Sequence, residues 1–340
     1  MRTLTPKHSI TWLALGLLLL ASPQIAEAED GLAPVLKPGA QNEYLKYLNS
    51  GFHRAFALSE SGHSGWASFR GSTEAATRDA LGYCRKFAGD SPCILYSLDG
   101  YNVWGKDPQS LPRYAAAPKL GLFLPSDYTP VHGPEAAKGV VIWSHGYMRG
   151  FDATQTQPHG YVSRFLADGW DVYRYNREYI DQYQTELYEM MQSIEAARRA
   201  GYKKIVLAGH SHGGWISLAA LGQGAAVDGV IADAPAHHGA PPSAAARSDF
   251  RELLRDIRTR NSAEIPLVIA FFQNDPFDPG GRFADVPDLL GGTAVPVYLI
   301  DRPAELPGHG AGNNVRFNDR FGPCIFKFVT ASPHAAGQCQ

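Results

Sequence analysis

The chain has 340 residues, 44% of them apolar, enough for one large α/β unit with a sizeable core plus a smaller one. Its 31 basic and 33 acidic residues leave a net charge of −2, which argues against nucleic acid or an anionic membrane as a partner.

The chain opens with Arg2, Lys7 and His8, continues through an apolar run over 10–21, and reaches the small-x-small stretch Ala26-Glu27-Ala28. That order of charge, short apolar run and small residues predicts a secretory signal peptide over 1–28, cleaved near Ala28, and hence a periplasmic or extracellular protein. The run is shorter than the roughly 20 residues a membrane span needs, and no later segment approaches that length, so no stable membrane insertion is expected. No cysteine lies near the cut to carry a lipid. Residues 29–50 bear Pro and Gly, are weakly patterned, and read as a leader draped over the surface.

From residue 51 to 104 the pattern is that of a small α+β domain. Ala55 to Leu58 is strand-like, 62–65 a turn, and Trp66 to Phe69 a second strand, which together predict a hairpin. Ser72 or Thr73 can cap a helix with Ala76, Ala80, Leu81 and Cys84 near one face, and Cys93 to Leu98 returns as a strand. Four cysteines in an exported chain suggest two disulfides. Pairing Cys84 with Cys93 and Cys324 with Cys339 closes the shortest loops of the possible connectivities. Pro108, Pro112 and Pro118 mark 105–119 as a linker to a second domain, 120–340.

In that domain strand and helix signals alternate. Val140 to Trp143, Trp170 to Tyr175, Lys204 to Ala208, Val230 to Ala232, Pro266 to Phe272 and Val297 to Ile300 read as strands. Tyr161 to Leu166, Glu186 to Ala200, Ser211 to Leu221 and Ser248 to Thr259 read as helices. The alternation predicts a mostly parallel sheet covered by helices on both faces, with any site at the edge where the strands end. The segment 234–262 falls between strands, contains Pro241-Pro242, and reads as a modest cap over that site.

Residues 205–214 read Ile-Val-Leu-Ala-Gly-His-Ser-His-Gly-Gly, a buried-strand signal running into GxSxG. This pattern projects a serine hydroxyl from a tight strand-to-helix turn, and Gly209 and Gly213 remove the Cβ atoms that would collide there. Ser211 then begins a helix, where backbone N–H groups are unpaired, so the N–H of His212 is available to an oxygen that becomes negative during acyl transfer. A serine nucleophile needs a base, and the base an acid to orient it. His309, in Pro-Gly-His-Gly after the last strand, is the candidate base. The stretch Gln273-Asn274-Asp275-Pro276-Phe277-Asp278 leaves the preceding strand with two carboxylates. Asp275, nearest the strand end, is the first choice of acid, Asp278 the reserve, and Asp233 a remoter alternative.

The strand-borne GxSxG, the loop Trp143-Ser144-His145-Gly146-Tyr147, the Asp-Pro turn and the final His, in that order of triad partners, resemble the α/β-hydrolase superfamily of esterases and peptidase-like enzymes over residues 139 to 330. The resemblance implies the backbone N–H of Tyr147 as a second oxyanion donor. Here Tyr147-Met148-Arg149 follows the His-Gly pair, where many lipases and esterases have Gly-Gly. Residues 51–104, with Ala-Phe-Ala-x-Ser, Gly-Trp-Ala and Cys-x-Leu-Tyr, resemble a small domain of secreted bacterial proteins.

The other reactive-looking residues have plainer readings. His237-His238 lacks a Glu or Cys at ligand spacing and reads as a loop at the site rim, with no metal and no cofactor expected. The His212 imidazole reads as pocket lining, and Arg149 and Arg177 read as solvated loop arginines rather than partners of a substrate carboxylate. Trp143, Tyr147, Tyr173 and Trp215 are the aromatics that either fill the core or shape a pocket. The expected activity is hydrolysis of a small-molecule carboxylic ester through an acyl-enzyme at Ser211. The alternatives are an amidase or peptidase with the same triad, or a non-catalytic secreted binding protein on this scaffold. The sequence names no protein partner.

Overall fold

The computed structural model describes residues 36–48, 50, 53–98, 101–104, 120–125, 132–147, 158–175, 177, 182–237, 244–260, 264–278, 280–332 and 334. The expected signal peptide, the linker 105–119, Arg149, His238 and Cys339 lie outside them, and with Cys339 the second expected disulfide.

Helix α1, Pro38–Leu48, comes first, within the stretch read from sequence as a surface leader. It is not draped over the surface, because Tyr44 and Tyr47 are buried. Strands β1 (Ala55–Ser59) and β2 (Ser64–Ala67), helix α2 (Thr73–Ala88), and strands β3 (Cys93–Leu98) and β4 (Tyr101–Asn102) follow. They form a four-stranded antiparallel sheet in the order β2-β1-β3-β4. The hairpin is tighter than expected: Ser59 N donates to His63 O, so β2 starts and ends early, and Phe69 falls outside it with φ 54°. Ser72 Oγ caps α2 by accepting from Ala75 N at 3.1 Å. Ala76, Ala80, Cys84 and Ala88, one turn apart, face Ala55, Ala57 and Ala67 of the sheet. On the other face Phe56 and Tyr96 pack edge-on against Tyr44, with ring centroids 5.1 and 5.2 Å apart. A sheet with two apolar faces needs two covers, and α1 is the second. Cys84 and Cys93 are bonded. Since α1 also touches the helices of the larger sheet, this unit is docked onto it, and all described residues fall in one compact unit, Val35–Gln340.

The larger sheet begins with β5 (Phe123–Pro125), β6 (Val140–Ser144), helix α3 (Ser163–Ala167), β7 (Asp171–Tyr175), α4 (Tyr183–Ala200), β8 (Ile205–His210) and α5 (His212–Gly222). It continues with β9 (Gly229–Asp233), α6 (Ala244–Arg260), β10 (Leu267–Phe271), α7 (Arg282–Leu290), β11 (Val297–Asp301) and α8 (Val315–Thr330). The strand order is β11-β10-β9-β8-β6-β7-β5, parallel throughout except for β5 at the edge. Ile142, Leu207, Val230 and Ile269 face α4, α5, α6 and α7, while Val141, Val206, Ile231 and Val268 face α3 and α8. Burial on both faces is why these strands read as continuous apolar runs.

Helix α6 is not a cap. Phe250, Leu254 and Ile257 bury one side of it in the core beside α5, and Arg247 and Arg251 on its other side pair with Asp285 of α7. The charged residues of α6 are one face of an amphipathic helix. From β6 the chain runs outward to β7, then returns to place β8 on the opposite side of β6. In open α/β sheets the site lies beyond the strand ends at such a reversal, which here is flanked by the loop after β6 and the turn after β8.

Candidate active site

Ser211 occupies that turn, between the end of β8 and the first residue of α5, with φ 55° and ψ −120°. A non-glycine residue held there costs on the order of 1–3 kcal/mol and persists only where its surroundings fix it. Three backbone bonds do so: Ser211 N to Asp233 O at 2.9 Å, Trp215 N to Ser211 O at 3.0 Å, and Ala236 N to Ser211 O at 3.1 Å. The glycines read from the motif are required sterically. A Cβ on Gly209 would overlap the backbone of Gly213, and one on Gly213 would overlap the carbonyl of Ser144.

The loop after β6 lies against Ser211, since a Cβ on Gly146 would sit 3.1 Å from Ser211 Cβ and 3.2 Å from His210 Nδ1. Tyr147, half-buried, follows Gly146 directly. His145 is buried, which pushes its imidazole down to about 3 with help from the Arg177 charge, so it is neutral at physiological pH.

The structure brings His309 and Asp275 together. His309 Nδ1 lies 2.9 Å from each Asp275 carboxylate oxygen, and Phe277 N also donates to Oδ1 at 2.8 Å. Gly308 N donates to Gln273 O at 2.7 Å, pinning the loop after β11 to the turn after β10. Asp278 is turned away: its Oδ1 accepts from Arg282 Nε at 2.9 Å and from Gly280 N at 3.0 Å. Asp233 is engaged elsewhere, at 2.6 Å from His159 Nδ1. Burial alone would raise the Asp233 carboxyl, but the facing His159, with His210 and His309 nearby, holds it below the usual range.

Sequence reasoning passed over His210. Its Nε2 donates to the carbonyl of His309 at 2.9 Å, and its ring lies 4.7 Å from the His309 ring and 4.8 Å from that of His159. Burial pushes the His210 imidazole down to about 4 against the pull of Asp233, so at neutral pH it is an uncharged N–H donor. The residue before Ser211 is thereby bonded to the backbone of the candidate base. The signal, a histidine inside GxSxG, was visible; its partner 99 residues away was not.

Other candidates fall into the core. Trp143, Tyr173 and Trp215 are buried, and His237 stacks on Trp215 with centroids 4.9 Å apart. Arg177 is buried as well, and so is neither solvated nor free for a substrate carboxylate. A polar cavity of about 540 Å³ borders Asp275, Asp278, Asp301 and Arg302, but Ser211 does not line it.

Six parallel strands with an antiparallel edge, helices on both faces and a strained serine at the turn after the central β8 make this an α/β-hydrolase fold. Among solved structures the chain is similar to an esterase of Pyrococcus furiosus at 16% identity and TM-score 0.43, over 57% of this chain and 82% of that one. It is also similar to a truncated carbohydrate esterase from gut microbiota (14%, TM-score 0.42, 60% and 90% of the two chains). A third is an acylaminoacyl peptidase in complex with a chloromethyl ketone (14%, TM-score 0.44, 72% and 46%). No protein-family model matches the chain, and no curated protein sequence matches it.

Proposed function

We propose that the protein is an exported serine hydrolase that cleaves a carboxylic ester through an acyl-enzyme at Ser211. The observation that carries this reading is the His309 imidazole held by the Asp275 carboxylate at 2.9 Å and tied through its own carbonyl to His210, the neighbour of the strained Ser211. With Nδ1–H donated to Asp275, the other ring nitrogen of His309 is the base that takes the Ser211 proton as Oγ attacks the acyl carbon. The carbonyl oxygen becomes an oxyanion held by the backbone N–H groups of His212 and Tyr147, the latter carried over from the α/β-hydrolase resemblance. The tetrahedral intermediate expels the alcohol, which takes the proton from His309. Water, deprotonated by the same imidazole, then attacks the acyl-enzyme, and the acid departs as Ser211 regains its proton.

An ester is preferred over an amide because an alkoxide departs with less help from protonation by His309 than an amine does. Export is supported by the Cys84–Cys93 bond, which suits an oxidising compartment, and among the described residues no helix is long and apolar enough to cross a membrane. The test is turnover of a series of p-nitrophenyl esters alongside aminoacyl amides. Ester hydrolysis abolished by Ser211→Ala supports the proposal; activity that survives the substitution overturns it, and activity confined to amides replaces the ester reading.

A further inference from the structure

Three ionisable side chains that the proposed chemistry does not consume are buried together behind the Ser211 turn. They are Arg177 just past β7, Glu186 in the first turn of α4, and His212 at the start of α5, with side chains 1%, 4% and 3% exposed. Glu186 Oε2 lies 2.8 Å from His212 Nε2 and 3.6 Å from an Arg177 guanidinium nitrogen. The other terminal nitrogen of Arg177 donates to the backbone carbonyl of His145, and His212 Nδ1 donates to the carbonyl of His237 at 2.7 Å. Both ring nitrogens of His212 therefore face acceptors, which fixes the ring.

Burying charged groups costs several kcal/mol per ion before pairing, and apolar residues of the same volume usually stabilise a core at least as well. Stability alone does not account for the cluster. The segments it joins do: one end grips the carbonyl of His145, two positions before Tyr147, and the other end grips the side chain of His212. Those are the two segments that carry the proposed oxyanion donors. They come from different strands, and no backbone hydrogen bond among the described residues ties the loop after β6 to the first turn of α5.

We propose that Arg177, Glu186 and His212 form a positioning clamp for the oxyanion hole, fixing the loop after β6 against the first turn of α5 so that both N–H groups converge on one point. The clamp rests on the reading of Ser211 as the nucleophile. None of the three side chains reaches the reacting atoms; they act through the two segments they join, with Glu186 linking Arg177 to His212. An oxyanion donor displaced by a fraction of an ångström loses most of its effect on the transition state and little of its effect on the bound ester.

The test uses Arg177→Met, Glu186→Gln and the double variant, which leaves no unpaired charge in the core and so keeps a foldable form in hand. Active sites are first counted with a fluorophosphonate, and kcat, KM and the inhibition constant of a trifluoromethyl ketone, whose adduct places an oxyanion in the hole, are measured per active site. The clamp predicts kcat lower by about 10- to 100-fold in the double variant, below the loss expected for deleting a donor outright. It also predicts KM within about twofold, and ketone affinity falling by the same factor as kcat/KM. Arg177→Lys, which keeps a donor toward His145 O, recovers part of the loss. A kcat per active site unchanged in the double variant, or a loss confined to KM, overturns the proposal. Failure of the wild type to label or turn over would instead remove the reading on which the clamp rests.

Discussion

At the residue scale the two carboxylates after β10 have been given different tasks by their neighbours. Asp275 accepts from His309, while Asp278 is claimed by Arg282, whose guanidinium also lies over the rings of Phe250 and Phe271 at 5.5 and 5.3 Å. Asp275→Asn should lower kcat by about 10⁴-fold while leaving the melting temperature nearly unchanged, because the amide keeps the shape but no longer holds the correct tautomer of His309. Asp278→Ala should do the reverse, leaving the buried Arg282 charge uncompensated at a cost of about 3–5 kcal/mol while kcat per titrated site falls less than tenfold. Kinetics and thermal melts of the two variants check both halves, and a larger kcat loss at Asp278 would contradict the assignment. Ser211, Asp275 and His309 could be singled out from sequence as candidates because each sits in a local signal: a glycine-flanked turn, an Asp-Pro step, a Gly-His-Gly. His159 and Glu186 have no such signal. Their partners lie 74 and 26 residues away, and only the reversal of strand order brings them together.

At the level of elements, the strands and helices around Ser211 were readable because each is a long apolar run or a clean helical stripe. What the sequence hid was packing that crosses elements. Helix α1 escaped because the large side chains it buries are tyrosines, Tyr44 and Tyr47, whose partners Phe56 and Tyr96 come from the sheet it covers. Helix α8 escaped because Pro323 sits inside it and because its stripe of Phe317, Phe321, Ile325 and Phe328 was not read with a helical period. Helix α6 was read as a helix but assigned to the wrong layer, its charges outweighing the Phe250, Leu254 and Ile257 stripe. The small sheet offers a direct check. Gly65 lies so close to α2 that a Cβ would overlap the backbone N of Cys84, which is backbone and cannot swing aside. Gly65→Ala should therefore lower the melting temperature and loosen the Cys84–Cys93 bond toward reduction, read as faster thiol labelling under mild reductant. Labelling at the wild-type rate would show that α2 does not bear on the sheet so closely.

At the scale of the whole molecule, stability should depend on acid through two buried, neutral histidines. The His145 and His210 imidazoles are pushed from 6.5 to about 3 and about 4 in the folded chain, so in between the unfolded chain binds more protons. Their contribution is complete above the unfolded value of 6.5 and is lost as pH falls from there toward the folded values, at up to about 1.4 kcal/mol per pH unit for each histidine. Denaturant midpoints measured from pH 7 to pH 4 should fall with acid, and less steeply in His210→Gln; a flat profile would contradict the burial assigned to both rings.

In the proposed reaction Ser211 is the residue that carries the acyl group. The most direct measurement is intact-mass and peptide-mapping analysis of the purified protein after reaction with a fluorophosphonate and, separately, after quenching a p-nitrophenyl ester burst in acid. The account predicts one adduct per molecule in each case, on the peptide containing Ser211, absent in Ser211→Ala and formed far more slowly in His309→Ala. An adduct on any other residue, or turnover with no covalent species at Ser211, would contradict it.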